Sequence, residues 1–152
     1  PAGTAAAPAG TAAAPGGAQG PLRLAYVDCG HVAPYLIRAD GGVSELEPEP
    51  SLPLGLGELA QAPRTEQRAE VPADARVLLC TDGVVEARSP GGEFFPLAER
   101  LDRWAALPTP QLLRRLREDL DAHTRGRLED DAAVLIMERP EQPPARHGGN
   151  GG

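Results

Sequence analysis

No lysine occurs anywhere in the 152 residues, so all 15 basic side chains are arginine. A phosphate-binding loop of the Gly-x4-Gly-Lys type is therefore excluded outright. Positive charge is short overall: 22 acidic residues oppose 15 basic ones, the net charge is -7, and no basic cluster stands out. That balance argues against nucleic acid as the main partner. Cysteine is equally scarce. Cys29 and Cys80 both lie in strand-like surroundings, and two cysteines do not make a secreted disulfide scaffold. No apolar run approaches the roughly 20 residues a membrane helix needs. The Ala-rich start lacks both the positive n-region and the continuous apolar h-region of a signal peptide. The chain opens on Pro1 rather than Met, which leads us to expect a natural N-terminus further upstream. A reduced, cytoplasmic protein fits these absences best.

What is present divides into three parts. Pro-Ala-Gly-Thr-Ala-Ala-Ala occurs at 1–7 and again at 8–14. Recurring Pro and Gly break the helix that Ala favours, and little apolar bulk offsets the entropy of ordering, so residues 1–20 read as a disordered linker. Residues 140–152, rich in Pro and Gly, read as a flexible tail. Between them, residues 21–139 carry the hydrophobic periodicity of one domain or part of one.

Within that stretch, 22–27 alternates as a half-buried strand should. Residues 35–38 and 43–46 are two more strands, joined by Asp40-Gly41-Gly42, a hairpin signal because Gly accepts positive φ. Residues 47–63 form a Pro- and Gly-rich loop, and 65–69 read as an edge strand. Val77 to Cys80 is a continuous apolar run, hence a buried strand. After a turn at 89–92, Leu97, Leu101 and Trp104 recur at helical spacing. Thr109-Pro110 reads as an N-cap followed by Pro at the first helical position. Leu112, Leu113, Leu116 and Leu120 form one apolar stripe that packs on a sheet, Gly126 ends the helix, and 132–137 returns to strand. Antiparallel strands, two helices and a closing strand predict a layered α+β domain.

Chemistry concentrates where apolar strands meet acidic residues. Val77 to Cys80 leads into Thr81-Asp82-Gly83, and Asp130-Asp131 stands directly before the run 132–137. A carboxylate at the end of a buried strand is costly unless it is paired or binds a metal. Gly83 lets the backbone turn sharply or approach another segment closely. Two strands with acidic ends can bring carboxylates to one point.

The stretch Leu79-Cys80-Thr81-Asp82-Gly83-Val84-Val85-Glu86-Ala87-Arg88 resembles the TDG motif of bacterial metal-dependent serine/threonine phosphatases of the PPM (PP2C-like) class, in its SpoIIE/RsbU-type branch. Gly30-His31-Val32-Ala33-Pro34-Tyr35-Leu36, Leu52-Pro53-Leu54-Gly55-Leu56 and Glu129-Asp130-Asp131-Ala132-Ala133-Val134-Leu135 are similar to three further motifs of that family, in the same order. The resemblance covers only the second half of the family domain. It implies part of a β-sandwich flanked by helices, with Asp82 and Asp130 as ligands of Mg²⁺ or Mn²⁺ in a two-metal centre. Such hard cations favour oxygen donors, and a metal pair can activate water for attack on a phosphate. Gly83, Asp131 and His31 are expected in supporting or structural roles, His31 as a hydrogen bonder that organises its loop.

The family's first half supplies a further aspartate that bridges both metals. Residues 1–20 contain no carboxylate, so the resemblance implies a phosphatase that is weak or inactive in this chain alone. Implied partners are an upstream half-domain or sensor domain and a phosphoserine or phosphothreonine protein such as an anti-anti-sigma factor. A non-catalytic remnant serving as an interaction module is the competing reading. Other phosphate chemistries fare poorly: Cys80 stands where a haloacid-dehalogenase-type site needs aspartate, and neither cysteine has an arginine six positions on.

Overall fold

The apolar run at 77–80 folds as expected into a buried strand, of which only Leu79 is partly exposed. In a computed structural model, which describes residues 20–47, 49, 51–59 and 63–139, the chain forms β1 (Leu22–Tyr26), β2 (Tyr35–Ile37), β3 (Val43–Glu45), β4 (Gln67–Val71) and β5 (Arg76–Cys80). These are followed by α1 (Asp82–Val85), α2 (Leu97–Trp104), α3 (Thr109–Thr124) and β6 (Val134–Met137). The expected linker and tail, apart from Gly20, lie outside the described residues. The architecture is α+β with antiparallel sheets, as the pattern of elements predicts.

The strands form two antiparallel sheets, one of order β3-β2-β5-β6 and one pairing β1 with β4. Side chains on a strand alternate between faces, and each face of the larger sheet is used differently. Tyr35, Ile37, Leu78 and Cys80 join Leu97, Leu101, Leu112 and Leu116 of the helices in the main core. Leu36 and Val77, one residue out of phase, pack with Val71 and Ala75 against the β1–β4 pair. The result is three layers: helices, a four-stranded sheet, and a two-stranded sheet narrower than the one it covers. β6 shows where cover runs out. Val134 and Ile136 reach the main core, while Leu135 and Met137, on the opposite face, are 59% and 40% exposed.

Local chemistry explains most boundaries. Gly41 and Gly42 both adopt φ of 91° in the β2–β3 hairpin, a conformation that L side chains avoid. The Gly42 N–H donates to Asp102 of α2 at 3.1 Å, pinning the hairpin to the helical layer. α3 ends in the left-handed Arg125 and then Gly126.

Several expectations need correction. The edge strand begins at Gln67, two residues later than the pattern suggests, because its register is set by β1: Tyr26 faces Gln67 and Leu22 faces Val71. Thr109 is the first residue of α3 rather than its cap, which is Pro108. Its hydroxyl is engaged elsewhere, donating to Glu138 at 2.5 Å and accepting from Arg76 at 3.2 Å. Leu113 lies at the edge of the apolar stripe and is 37% exposed.

Arg76 is a buried charge the sequence does not announce. Its guanidinium donates to the carbonyl oxygens of Leu107, at 2.8 Å, and Ala105. These carbonyls belong to the end of α2 and the link to α3, where helix geometry leaves acceptors without intrahelical partners.

Candidate metal centre

Strand directions collect the four motif segments at one end of the layers. β5 runs from Arg76 to Cys80, with Leu78 opposite Tyr35 and Cys80 opposite Val134. The start of β2, the end of β3, the end of β5 and the start of β6 therefore lie at the same pole. β1 and β4 add the end of one and the start of the other, Tyr26 beside Gln67. The described segments 27–34, 46–47, 51–59, 63–66, 81–86 and 127–133 all open there. The turn from β4 into β5, closed by the Ala75 N–H donating to Pro72 O at 3.0 Å, sits at the opposite pole.

At the centre of this end, two backbone segments meet closely. Gly83 is buried, and a Cβ placed on it would lie 2.5 Å from the Asp131 carbonyl oxygen and 3.3 Å from the Asp130 carbonyl carbon. Glycine is required here for close approach, and its φ is not left-handed. The expected turn at Asp82-Gly83 is instead the opening of α1, a single helical turn whose Val84 is fully buried.

Thr81 ties the two segments together. Its N–H donates to Ala133 O at 3.0 Å. Its hydroxyl donates to Asp131 O at 2.7 Å and accepts from the Ala133 N–H at 2.9 Å. This explains why a threonine in the N-cap position makes no side-chain cap to α1: the oxygen is committed across the junction. The threonine of the TDG sequence was its only signal.

Asp82 and Asp130 flank this junction from either strand. Asp82 Oδ1 accepts from the Gly83 N–H at 3.0 Å, and Asp130 Oδ1 accepts from the Asp131 N–H at 2.7 Å. Both residues are solvent-exposed, as is Asp131. The expectation of a costly buried carboxylate at Asp82 is therefore corrected: strand β5 is buried, but Asp82 beyond its end is solvent-exposed. Asp131 enters the junction through its carbonyl oxygen.

The loop carrying His31 belongs to the same end. His31 is exposed. The organiser of its loop is Asp28, whose carboxylate accepts from the backbone N–H of Gly30 at 2.7 Å and of His31 at 3.4 Å. An Asp two residues before a Gly is the sequence signal for this arrangement. Ser51 donates to Asp28 O, and Gly30, at φ +83°, faces Pro53 so closely that a Cβ would lie 3.1 Å from its ring. Arg64 completes the lock, donating to Pro53 O at 3.1 Å. Two motif loops far apart in sequence are thus one structural unit.

Carboxylate oxygens suit Mg²⁺ or Mn²⁺, so the donor type at this junction fits a hard divalent cation. Donor number is the shortfall. Among the described residues, no group of three or more His, Cys, Asp or Glu side chains comes together in a way that could hold a metal.

The model of the stage II sporulation protein E (SpoIIE) family matches residues 20–140. Among solved structures, the chain is similar to the SiaA-PP2C domain of Pseudomonas aeruginosa, with a TM-score of 0.63 and 16% identity over 78% of this chain and 47% of that one. It is similar to the RsbU and RsbW domains of Rv1364c from Mycobacterium tuberculosis, with a TM-score of 0.58 and 27% identity over 80% of this chain and 34% of that one. The phosphatase domain of the cell fate determinant SpoIIE from Bacillus subtilis, presoaked with Mn, gives a TM-score of 0.55 and 15% identity over 82% and 58%. The chain therefore spans between about a third and three fifths of these structures. No curated protein matches it.

Proposed function

This chain belongs to the SpoIIE family of PPM-type phosphatases, and we propose that residues 21–139 supply the C-terminal part of a metal-dependent protein serine/threonine phosphatase. The observation that carries this reading is the Thr81–Asp131 junction, which brings the backbones of Asp82-Gly83 and Asp130-Asp131 into contact. In this reading Asp82 and Asp130 hold Mg²⁺ or Mn²⁺. Gly83 admits the close approach, Thr81 fixes it, and Asp131 supports it through its backbone. His31 serves its loop as a structural residue. Bound in a pair, such cations supply an activated water and neutralise charge on the phosphate.

Two aspartates are too few for that pair, so the chain alone is a weak or inactive enzyme, and the bridging carboxylate comes from an upstream half-domain. The substrate class is a phosphoserine or phosphothreonine protein of bacterial signalling, with anti-anti-sigma factors as the candidates. The neighbour that joins an RsbU to an RsbW domain supports that setting. We place the protein in the cytoplasm, in keeping with described helices none of which is long and apolar enough to cross a membrane. The shortage of donors also favours one alternative, a non-catalytic remnant acting as an interaction module.

Phosphate release from a phosphoserine peptide, measured against Mn²⁺ concentration, separates the two. The isolated chain should release little. The chain preceded by the N-terminal half of the Rv1364c RsbU domain should turn over, and Asp82→Ala in that fusion should abolish most activity. Full activity in the isolated chain refutes the missing-donor reasoning. A fusion with native circular dichroism but no turnover leaves the interaction module as the correct reading.

A further inference from the structure

Helix α3 starts at the pole where Arg139 donates to Gly20 O at 2.9 Å and ends beside the motif loops. Along it, a groove of about 700 Å³ lies between the helix and the segment 126–134. Its floor is apolar, formed by Val84, Leu116, Leu120 and Val134. Leu113 and Leu128 stand on its two walls, 37% and 42% exposed. The two ends differ in charge. Arg114 and Arg117 line the end far from the motif loops. Both are exposed, and among the described residues neither has a carboxylate partner. Their acidic neighbours are engaged, Glu118 with Arg115 at 3.4 Å and Asp119 with Arg100 at 2.9 Å. At the near end, Val84 and Ala132 line the groove, each two residues beyond Asp82 and Asp130. Asp121 lines it toward this end. The groove is thus positive at one end and negative toward the acidic junction.

We propose that this groove docks the phosphoprotein substrate through an acidic, apolar segment set back from its phosphoserine. This rests on the phosphatase reading above and names what the chain selects in its substrate. Apolar side chains of that segment cover the floor, where burial drives association. Its carboxylates meet Arg114 and Arg117, whose guanidinium forks match them. Charge complementarity and the groove's continuity with the Asp82–Asp130 junction select this occupant. Arg114 lies ten residues before Thr124, at the near end, a rise of about 15 Å. Extended polypeptide covers about 3.3 Å per residue. Acidic residues held at Arg114 and Arg117 therefore sit about four to seven residues from a phosphoserine at the junction.

Two measurements test this. A fluorescein-labelled peptide carrying a Glu-Leu-Leu-Glu block, without phosphate, is titrated with the full chain and followed by anisotropy. Replacing both Glu by Lys, or both Leu by Ser, should weaken binding about tenfold or more. Arg114→Glu combined with Arg117→Glu should weaken the Glu peptide as much and strengthen the Lys peptide. Circular dichroism checks that this variant is folded, and Arg103→Glu, on α2 outside the groove, should bind like the parent. The second measurement uses the fusion to the N-terminal half of the Rv1364c RsbU domain. Phosphoserine peptides carry the same block about two to ten residues away, on either side. Their kcat/KM should peak at about four to seven residues, about fivefold or more above the rest. Equal binding of the Lys peptide, or undisturbed binding to the double variant, overturns the proposal. So does a kcat/KM indifferent to spacing. Binding to the chain but not to the fusion overturns it too, since the N-terminal half then fills the groove. A fusion that binds the peptide through Arg114 and Arg117 yet releases no phosphate supports the groove as a docking site and overturns the phosphatase reading instead.

Discussion

Replacing Gly83 by alanine should damage the domain although alanine is the better helix former. Gly83 lies in α1 without a left-handed φ, so propensity alone would favour alanine by about 1 kcal/mol. The contact reverses the sign. The added Cβ falls 2.5 Å from the Asp131 carbonyl oxygen and 2.9 Å from its carbon. Both are backbone atoms, and no rotamer change relieves them. Restoring an ordinary carbon–oxygen contact of roughly 3.3 Å requires the segments to part by about 0.8 Å. Overpacking of this kind costs about 1–3 kcal/mol, and parting the segments also weakens the Thr81–Asp131 hydrogen bond, worth about 1 kcal/mol. After the propensity gain, a net loss of about 1–3 kcal/mol remains. With a urea dependence of about 1–3 kcal/mol per molar, the midpoint should fall by about 1 M. Gly91→Ala is the control, since its Cβ would meet only Ser89 Oγ, at 3.5 Å; it should change stability by less than about 0.5 kcal/mol. Equal midpoints for Gly83→Ala and the parent would refute the close-approach reasoning, as would an equal drop in both variants.

Thr81→Val keeps the shape of the junction and removes its hydroxyl; urea unfolding should show a loss of about 1–2 kcal/mol. Arg76→Met should cost about 2–4 kcal/mol by the same measurement, because the acceptors at the end of α2 lose a charged donor. Burial pushes the Cys80 thiol up to about 11, and burial with the nearby Glu45 carboxylate pushes the Tyr35 hydroxyl up to about 12. Both shifts favour the neutral form in the folded state, so their stabilisation is complete below the ordinary values of 9.0 and 10.0 and is lost as pH rises through the folded ones. Urea midpoints should therefore fall between pH 9 and 12, and Cys80→Val with Tyr35→Phe should flatten that fall. At pH 8, iodoacetamide should modify Cys29 well ahead of Cys80, which is 3% exposed.

Much of the fold was legible because its signals are local. The apolar run at 77–80, the Asp40-Gly41-Gly42 hairpin and the leucines of α2 and α3 each state their own conformation. The acidic ends of β5 and β6 were legible too, and register places them at one pole. What escaped depends on distant partners. Thr81 and Asp131 meet across 50 residues of sequence. Arg76 resembles any surface arginine until carbonyls from α2 surround it. Thr109 has the composition of a cap but spends its hydroxyl on Glu138. The Asp82 carboxylate followed the opposite logic: a buried strand suggested a buried acid, whereas Asp82 is exposed between the half-buried Thr81 and the buried Gly83 and Val84.

The bond between Arg139 and Gly20 gives this unit a single point of attachment. Entry and exit lie together at the pole opposite the motif loops, because β1 begins beside the end of β4 and β6 ends beside the start of β5. Closely spaced ends tolerate permutation and insertion. A circular permutant that joins 139 to 20 through a short linker and opens in the exposed turn at 89–92 keeps every strand pairing intact. The unit is in this sense a cassette: it can be spliced at one pole into a larger protein without disturbing the order of loops at the other.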